Sequence, residues 1–206
     1  MSLAVLTSFE LSVHPSVPVH DVKLYIALAR LSPGKLKFGS PGLDSSAHFV
    51  GEIACMMANV KILHVPFRGP PETMTSLVSG EVDVGYPSVT SAVPFIQLNK
   101  IRGLAVSTAT RAALLPALPT LAESGIAGYE RSGCNGVLAP AHTPRDIVQR
   151  LNSVIVKSVA VPELRELFIT QGLEPRTNMP EEFAVFIKRE LEQNAKVVTF
   201  AGIKAE

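Results

Sequence analysis

The sequence predicts an α/β protein built around a mostly parallel sheet, and three observations carry that reading. Short β-like runs recur along the chain, helical patterns lie between them, and glycine and proline punctuate the joins. The β-like runs are Leu36 to Gly39, Ile62 to Val65, Val82 to Tyr86, Gly103 to Ser107 and Gly136 to Ala139. Strands that alternate with helices in this way read as βαβ units.

The helical stretches follow from spacing. Val19 to Leu31 places Val22, Tyr25, Ile26 and Ala29 on one face, with Asp21 near its start and Pro33-Gly34 stopping it. Ser46 to Asn59 repeats the pattern through Phe49, Val50, Ile53 and Met57. Pro71 to Ser79 and Thr90 to Leu98 supply two shorter helices, and Gly80 suits a helix stop. After Tyr129 the pattern changes. One β-like run is followed by helical patterns at Arg145 to Ser158, Pro162 to Gln171 and Pro180 to Thr199, so the tail reads as helix-rich and short of strands.

Composition narrows the function classes. The 206 residues are 47% hydrophobic and 18% charged, which is enough apolar content for a sizeable core. A formal charge of +1, from 19 basic and 18 acidic residues without blocks, gives no field that would gather nucleic acid or an anionic membrane. No apolar run reaches the roughly 18 residues of a membrane-spanning helix, and Met1 to Leu6 lacks the basic start of a signal peptide. Cys55 and Cys134 stand far apart and read as two buried thiols, with a disulfide between them as the alternative. The five histidines are not spaced as metal ligands, no cofactor motif is present, and no G-x-S-x-G elbow points to hydrolysis, so the chain reads as a non-enzyme without metal or cofactor.

The most informative segment runs from Phe38 to His48, F-G-S-P-G-L-D-S-S-A-H, which leaves a strand and opens a helix. Gly42 permits backbone angles closed to other residues. Asp44, Ser45 or Ser46 can cap the helix, whose first amides stay unpaired and, with the helix dipole, suit an anion. A plain βα turn with a capped helix has the same composition. The loop matches neither phosphate fingerprint and carries Asp44, so a monocarboxylate or amide group fits better than a phosphate dianion. On this reading Ser40, Gly42, Asp44, Ser45 and Ser46 line the site, and Ser45→Pro is predicted to cost more affinity than Ser45→Ala. His48 either orients the loop or is a structural histidine. Arg68, in His64-Val65-Pro66-Phe67-Arg68-Gly69, either forks onto a carboxylate or is a surface arginine. Tyr86 and Ser88 qualify as wall residues by position, since ligands of open α/β sheets collect at the carboxyl ends of strands.

Together these segments resemble the Bug-type periplasmic solute-binding proteins of tripartite tricarboxylate transporters. The resemblance rests on Pro15-Ser16-Val17-Pro18-Val19, Pro33-Gly34-Lys35-Leu36, the Ser40 to His48 loop, His64 to Gly69 and Ser79-Gly80-Glu81-Val82-Asp83. It continues through Arg102 to Ser107, Leu115-Pro116, Pro119-Thr120, Ala139-Pro140, Thr143-Pro144 and Arg150-Leu151-Asn152, and closes with Glu181-Glu182-Phe183-Ala184 and Ala201-Gly202-Ile203. It implies a type II periplasmic-binding-protein fold, with residues 11–127 as one complete lobe carrying the anion loop and 128–206 as the helix-rich part of an incomplete one. It further implies a receptor for a small carboxylate, dicarboxylate or amino acid that works in the periplasm with membrane transporter subunits. A ligand-sensing or interaction domain of the same fold is the alternative.

The match has departures. The family's first segment, with its own Gly-rich ligand loop, has no counterpart here. The family commonly has glycine at Asp44 and tryptophan near Cys134 and Asn194, whereas this chain contains no tryptophan. A helix-rich half short of strands exposes apolar surface, which predicts a homo-oligomer through residues 130–206.

Overall fold

Residues 1–202 are described by a computed structural model; Ile203, the last residue of the resemblance, and the end of the predicted 128–206 segment lie outside the described residues. Along the chain come β1 (Ser2–Thr7), β2 (Glu10–Val13), α1 (Val22–Leu31), β3 (Lys37–Ser40), α2 (Ser46–Ala58), β4 (Leu63–Pro66) and α3 (Pro70–Ser79). Then follow β5 (Val84–Gly85), α4 (Val89–Gln97), β6 (Arg102–Val106), β7 (Gly133–Val137), α5 (Arg145–Val159), α6 (Pro162–Thr170), β8 (Leu173–Pro175) and α7 (Pro180–Ala201). By contact they form two units, Ser8–Ser132 and Met1–Thr7 with Gly133–Glu206.

The boundary therefore differs from the predicted 127/128 division. Gly128 to Ser132 belong with the first unit because Tyr129 is buried there, its hydroxyl donating to Val50 O at 2.8 Å. The Arg131 amide likewise donates to Ser107 O at 2.8 Å.

In the first unit the strand order is β4-β3-β5-β2-β6. Strand β3 runs parallel to both β4 and β5, while β2 runs antiparallel to both β5 and β6. The sheet is thus mixed, and β2 was not read from the sequence. Its residues Glu10-Leu11-Ser12-Val13 alternate polar with apolar, the pattern of a half-exposed strand, yet all four are buried. Helix α1 begins later than predicted because Asp21 is its cap, Oδ1 accepting from the Leu24 amide at 2.8 Å. Helix α3 starts on Pro70-Pro71 and stops at Gly80, whose φ of 77° is the left-handed closure that the sequence predicted. Helix α2 lies close on β3, since a Cβ at Gly51 would run into the Phe38 ring.

In the second unit β1 is the central strand of an antiparallel sheet ordered β7-β1-β8. The predicted shortage of strands is corrected here: Ser2–Thr7 and Leu173–Pro175 supply two that went unread, and the run placed at Gly136 to Ala139 lies at Gly133–Val137. Phe183 of α7 packs with Leu3 and Leu6 of β1. The Asn152 side chain of α5 donates to Met1 O at 3.1 Å and Asn178 O at 2.8 Å. Asn178 Oδ1 accepts from the Leu3 amide at 2.9 Å, so these polar ties fix the chain start against α5. Both cysteines are free thiols; Cys55 is buried as predicted, but Cys134 is exposed on β7. No helix among the described residues is long and apolar enough to cross a membrane.

Candidate ligand-binding site

The anion loop leaves β3 at Ser40 and enters α2 at Ser46. Two residues in it take positive φ, Gly42 at 133° and Asp44 at 61°. Glycine accepts such angles freely, and aspartate is among the few other residues that visit the left-handed region. Ser45 is the helix cap: its Oγ accepts from the His48 amide at 3.2 Å and donates to Gly42 O at 3.0 Å. The Ser45 amide turns toward Gly42 O at 3.5 Å, so it is not the free donor that the Ser45→Pro expectation assumed. The Asp44 amide is occupied too, donating to His48 Nδ1 at 3.3 Å. The open donors of the first helical turn are the Ser46 and Ala47 amides. Asp44 and Ser46 are exposed, whereas Ser40 and His48 are buried.

Beneath the loop lie two imidazoles. His48 of α2 and His64 of β4 stack with ring centroids 3.8 Å apart and planes 9° from parallel. His64 Nε2 meets Ser40 Oγ at 2.6 Å, and Ser40 Oγ donates to Gly42 O at 2.9 Å. His48 Nε2 lies 3.7 Å from Glu52 Oε1, one turn along α2. Burial, reinforced by the neighbouring His48, lowers His64 to about 4. Its native form thus binds fewer protons than the unfolded chain between about 4 and 6.5, so the stability it contributes is present above 6.5 and lost as pH falls through this window. NMR titration of the His64 ring is expected to show it neutral at pH 5.

A pocket of about 130 Å³ opens at the carboxyl ends of β3 and β5. Phe9, Gly39, Pro41 and Ala47 line it together with Pro70, Thr73, Met74 and Leu77 of α3, then Gly85 to Ser88 and Ser91. Tyr86 and Ser88, predicted as walls, do line this space, and Ala47 brings the open end of α2 to its edge. Its surface is mostly apolar. The Tyr86 ring meets Phe38 edge-on at 5.4 Å, and its buried hydroxyl makes no hydrogen bond of standard geometry, although it lies near those of Tyr25 and Tyr129. Ser88 caps α4 without a side-chain bond to its backbone amides, and its Oγ pairs with Ser91 Oγ at 2.9 Å.

Arg68 is exposed and does not line the pocket; its backbone amide donates to Glu72 Oε2 at 2.8 Å. Sequence reasoning did not single out Phe9, Met74, Leu77 or Ser91. Phe9 was hidden with the unread β2, whereas Met74 and Leu77, three apart on the helix predicted at Pro71 to Ser79, could have been found as its inward face. No group of three metal-ligating side chains occurs among the described residues.

Known proteins similar to this chain bear on its family and fold. A family model described as "Tripartite tricarboxylate transporter family receptor" matches residues 1–203. The UPF0065 protein in the tcbD-tcbE intergenic region of a Pseudomonas strain is 38% identical over 179 residues, which are 86% of this chain and 53% of that protein. Among solved structures, R. palustris Rpa4515 with adipate is 32% identical with a TM-score of 0.84, covering 97% of this chain and 67% of the other. Periplasmic binding protein BugD is 26% identical with a TM-score of 0.82, covering 100% and 69%. The chain spans about half the length of the curated relatives it matches, 53% and 59% of the first two.

Proposed function

The chain belongs to the tripartite tricarboxylate transporter receptor family, and on that premise we propose that it binds a small carboxylate at the Ser40 to His48 loop for delivery to membrane transporter subunits. The family comprises solute-binding receptors rather than enzymes, with periplasmic members. One observation carries the reading: the open amides of Ser46 and Ala47 lie at the positive end of a thirteen-residue helix, and Ala47 lines an apolar pocket. A carboxylate on those amides would place an attached carbon chain against Phe9, Met74 and Tyr86. A dicarboxylate, or an amino acid whose ammonium group approaches Asp44, fits the same loop. Ser40, Gly42 and Ser45 shape the backbone, Tyr86 and Ser88 form the wall, and Arg68 stands by as a surface cation. The place of action on this reading is the periplasm.

The test is calorimetric titration with a panel of mono- and dicarboxylates, amino acids and their uncharged amides. Binding of a carboxylate with rejection of its amide supports the proposal; binding of none of the panel sinks it.

Self-association belongs to the same reading. Leu138, Val185 and Leu191 are 68%, 70% and 65% exposed on the second unit, apolar side chains that a second copy would cover. Light scattering is expected to return a homo-oligomer, and Val185→Glu with Leu191→Glu is expected to yield monomers. A wild-type monomer at working concentration would contradict this.

A further inference from the structure

We infer that the stacked His48 and His64 side chains act as the positioning residues of the carboxylate loop, gripping its backbone at both ends. The inference rests on the proposed role of that loop, but the grip itself is visible without a ligand.

The loop needs holding. Between Ser40 and Ser46 it carries two residues at positive φ, one of them Asp44, and a non-glycine residue in that region persists only where its surroundings over-determine it. Its near end is tied by His64 through Ser40. A serine hydroxyl has one hydrogen, and because Ser40 Oγ gives it to Gly42 O at 2.9 Å, His64 Nε2 is the donor in the 2.6 Å contact with Ser40. Its far end is tied by His48, whose Nδ1 accepts the Asp44 amide at 3.3 Å. An Nδ1 that accepts carries no proton, so the hydrogen of neutral His48 sits on Nε2, the nitrogen facing Glu52 Oε1. Both rings are then neutral Nε2–H tautomers, which suits two imidazoles 3.8 Å apart better than two cations. The stack joins β4 to α2, and between them the two rings set where the Ser46 and Ala47 amides point.

Four variants separate positioning from plain packing. His48→Asn keeps an acceptor, Oδ1, where Nδ1 stood, and His48→Leu keeps volume without the acceptor. His64→Gln keeps a donor at the Nε2 position, and His64→Leu removes it. In the ligand-free protein, amide hydrogen exchange at Asp44 is expected to speed up about tenfold or more in His48→Leu and to stay near wild type in His48→Asn. The Gly42 amide donates to Ser40 Oγ at 3.4 Å, so its exchange is expected to separate His64→Leu from His64→Gln in the same way. Adipate affinity by calorimetry is expected to follow the exchange order, not the order of melting temperatures. Equal exchange in His48→Asn and His48→Leu would overturn the inference, as would an imidazole nitrogen spectrum showing His48 protonated on Nδ1 at neutral pH. Failure of wild type to bind any carboxylate would instead count against the receptor reading and leave the exchange comparison to decide the grip.

Discussion

Glu10→Gln is expected to match wild type in stability near pH 4.5 and to become progressively more stable above it. Glu10 is fully buried in β2; Oε1 accepts from Ser12 Oγ at 2.6 Å, but Oε2 has no hydrogen-bond partner among the described residues. Burial raises its carboxyl from 4.5 to about 8, against the opposing Ser12 bond. Between those values the folded chain holds a proton that the unfolded chain releases, so stability falls as pH rises, by up to about 1.4 kcal/mol per pH unit. His64 acts in the opposite sense between about 4 and 6.5. The wild-type slope is therefore expected to be steepest between about 6.5 and 8, where Glu10 acts without that opposition. Urea unfolding across a pH series measures this. Parallel curves for the two proteins would show that Glu10 is ionised in the fold.

Gly51→Ala carries the second large effect, and its sign is the informative part. Alanine inside a helix is ordinarily more stable than glycine by about 1 kcal/mol. Here the new methyl would meet the Phe38 ring, which is fully buried between α2 and β3, and overpacking of that kind costs about 1–3 kcal/mol. A net loss is expected, and Phe38→Leu in the same chain is expected to relieve it, so that the double variant loses less than the two single losses combined. Additive losses would place the strain elsewhere.

The features legible in the sequence were local ones. Gly42, Ser45 and the apolar spacing of residues 46–58 announced a strand, a turn and a capped helix, because backbone freedom and capping act over a few residues. What stayed hidden depended on partners distant in the chain. Strand β2 reads as half-exposed, and only the sheet neighbours β5 and β6 explain why Glu10 and Ser12 are inside. Strand β1 pairs only with strands distant in the chain, and its role becomes apparent only once β7 and β8 flank it. The pocket draws on segments from Phe9 to Ser91, and His48 and His64 meet only because α2 returns to the sheet beside β3. Their spacing in the sequence, sixteen residues apart, could not announce a stack.

Ser46→Pro tests, with little collateral damage, whether a carboxylate is held by the open amides at the start of α2. Proline is favoured at the first helical position, and Ser45, at φ −67° and ψ 153°, already has the extended geometry that proline demands of its predecessor. The substitution therefore removes one donor while leaving the helix in place, and Ser46→Ala keeps that donor as the control. Calorimetric titration of the best-bound carboxylate is predicted to give wild-type affinity for Ser46→Ala and a loss of about tenfold to a hundredfold for Ser46→Pro, at unchanged melting temperature. Equal affinity in Ser46→Pro and Ser46→Ala would contradict the account.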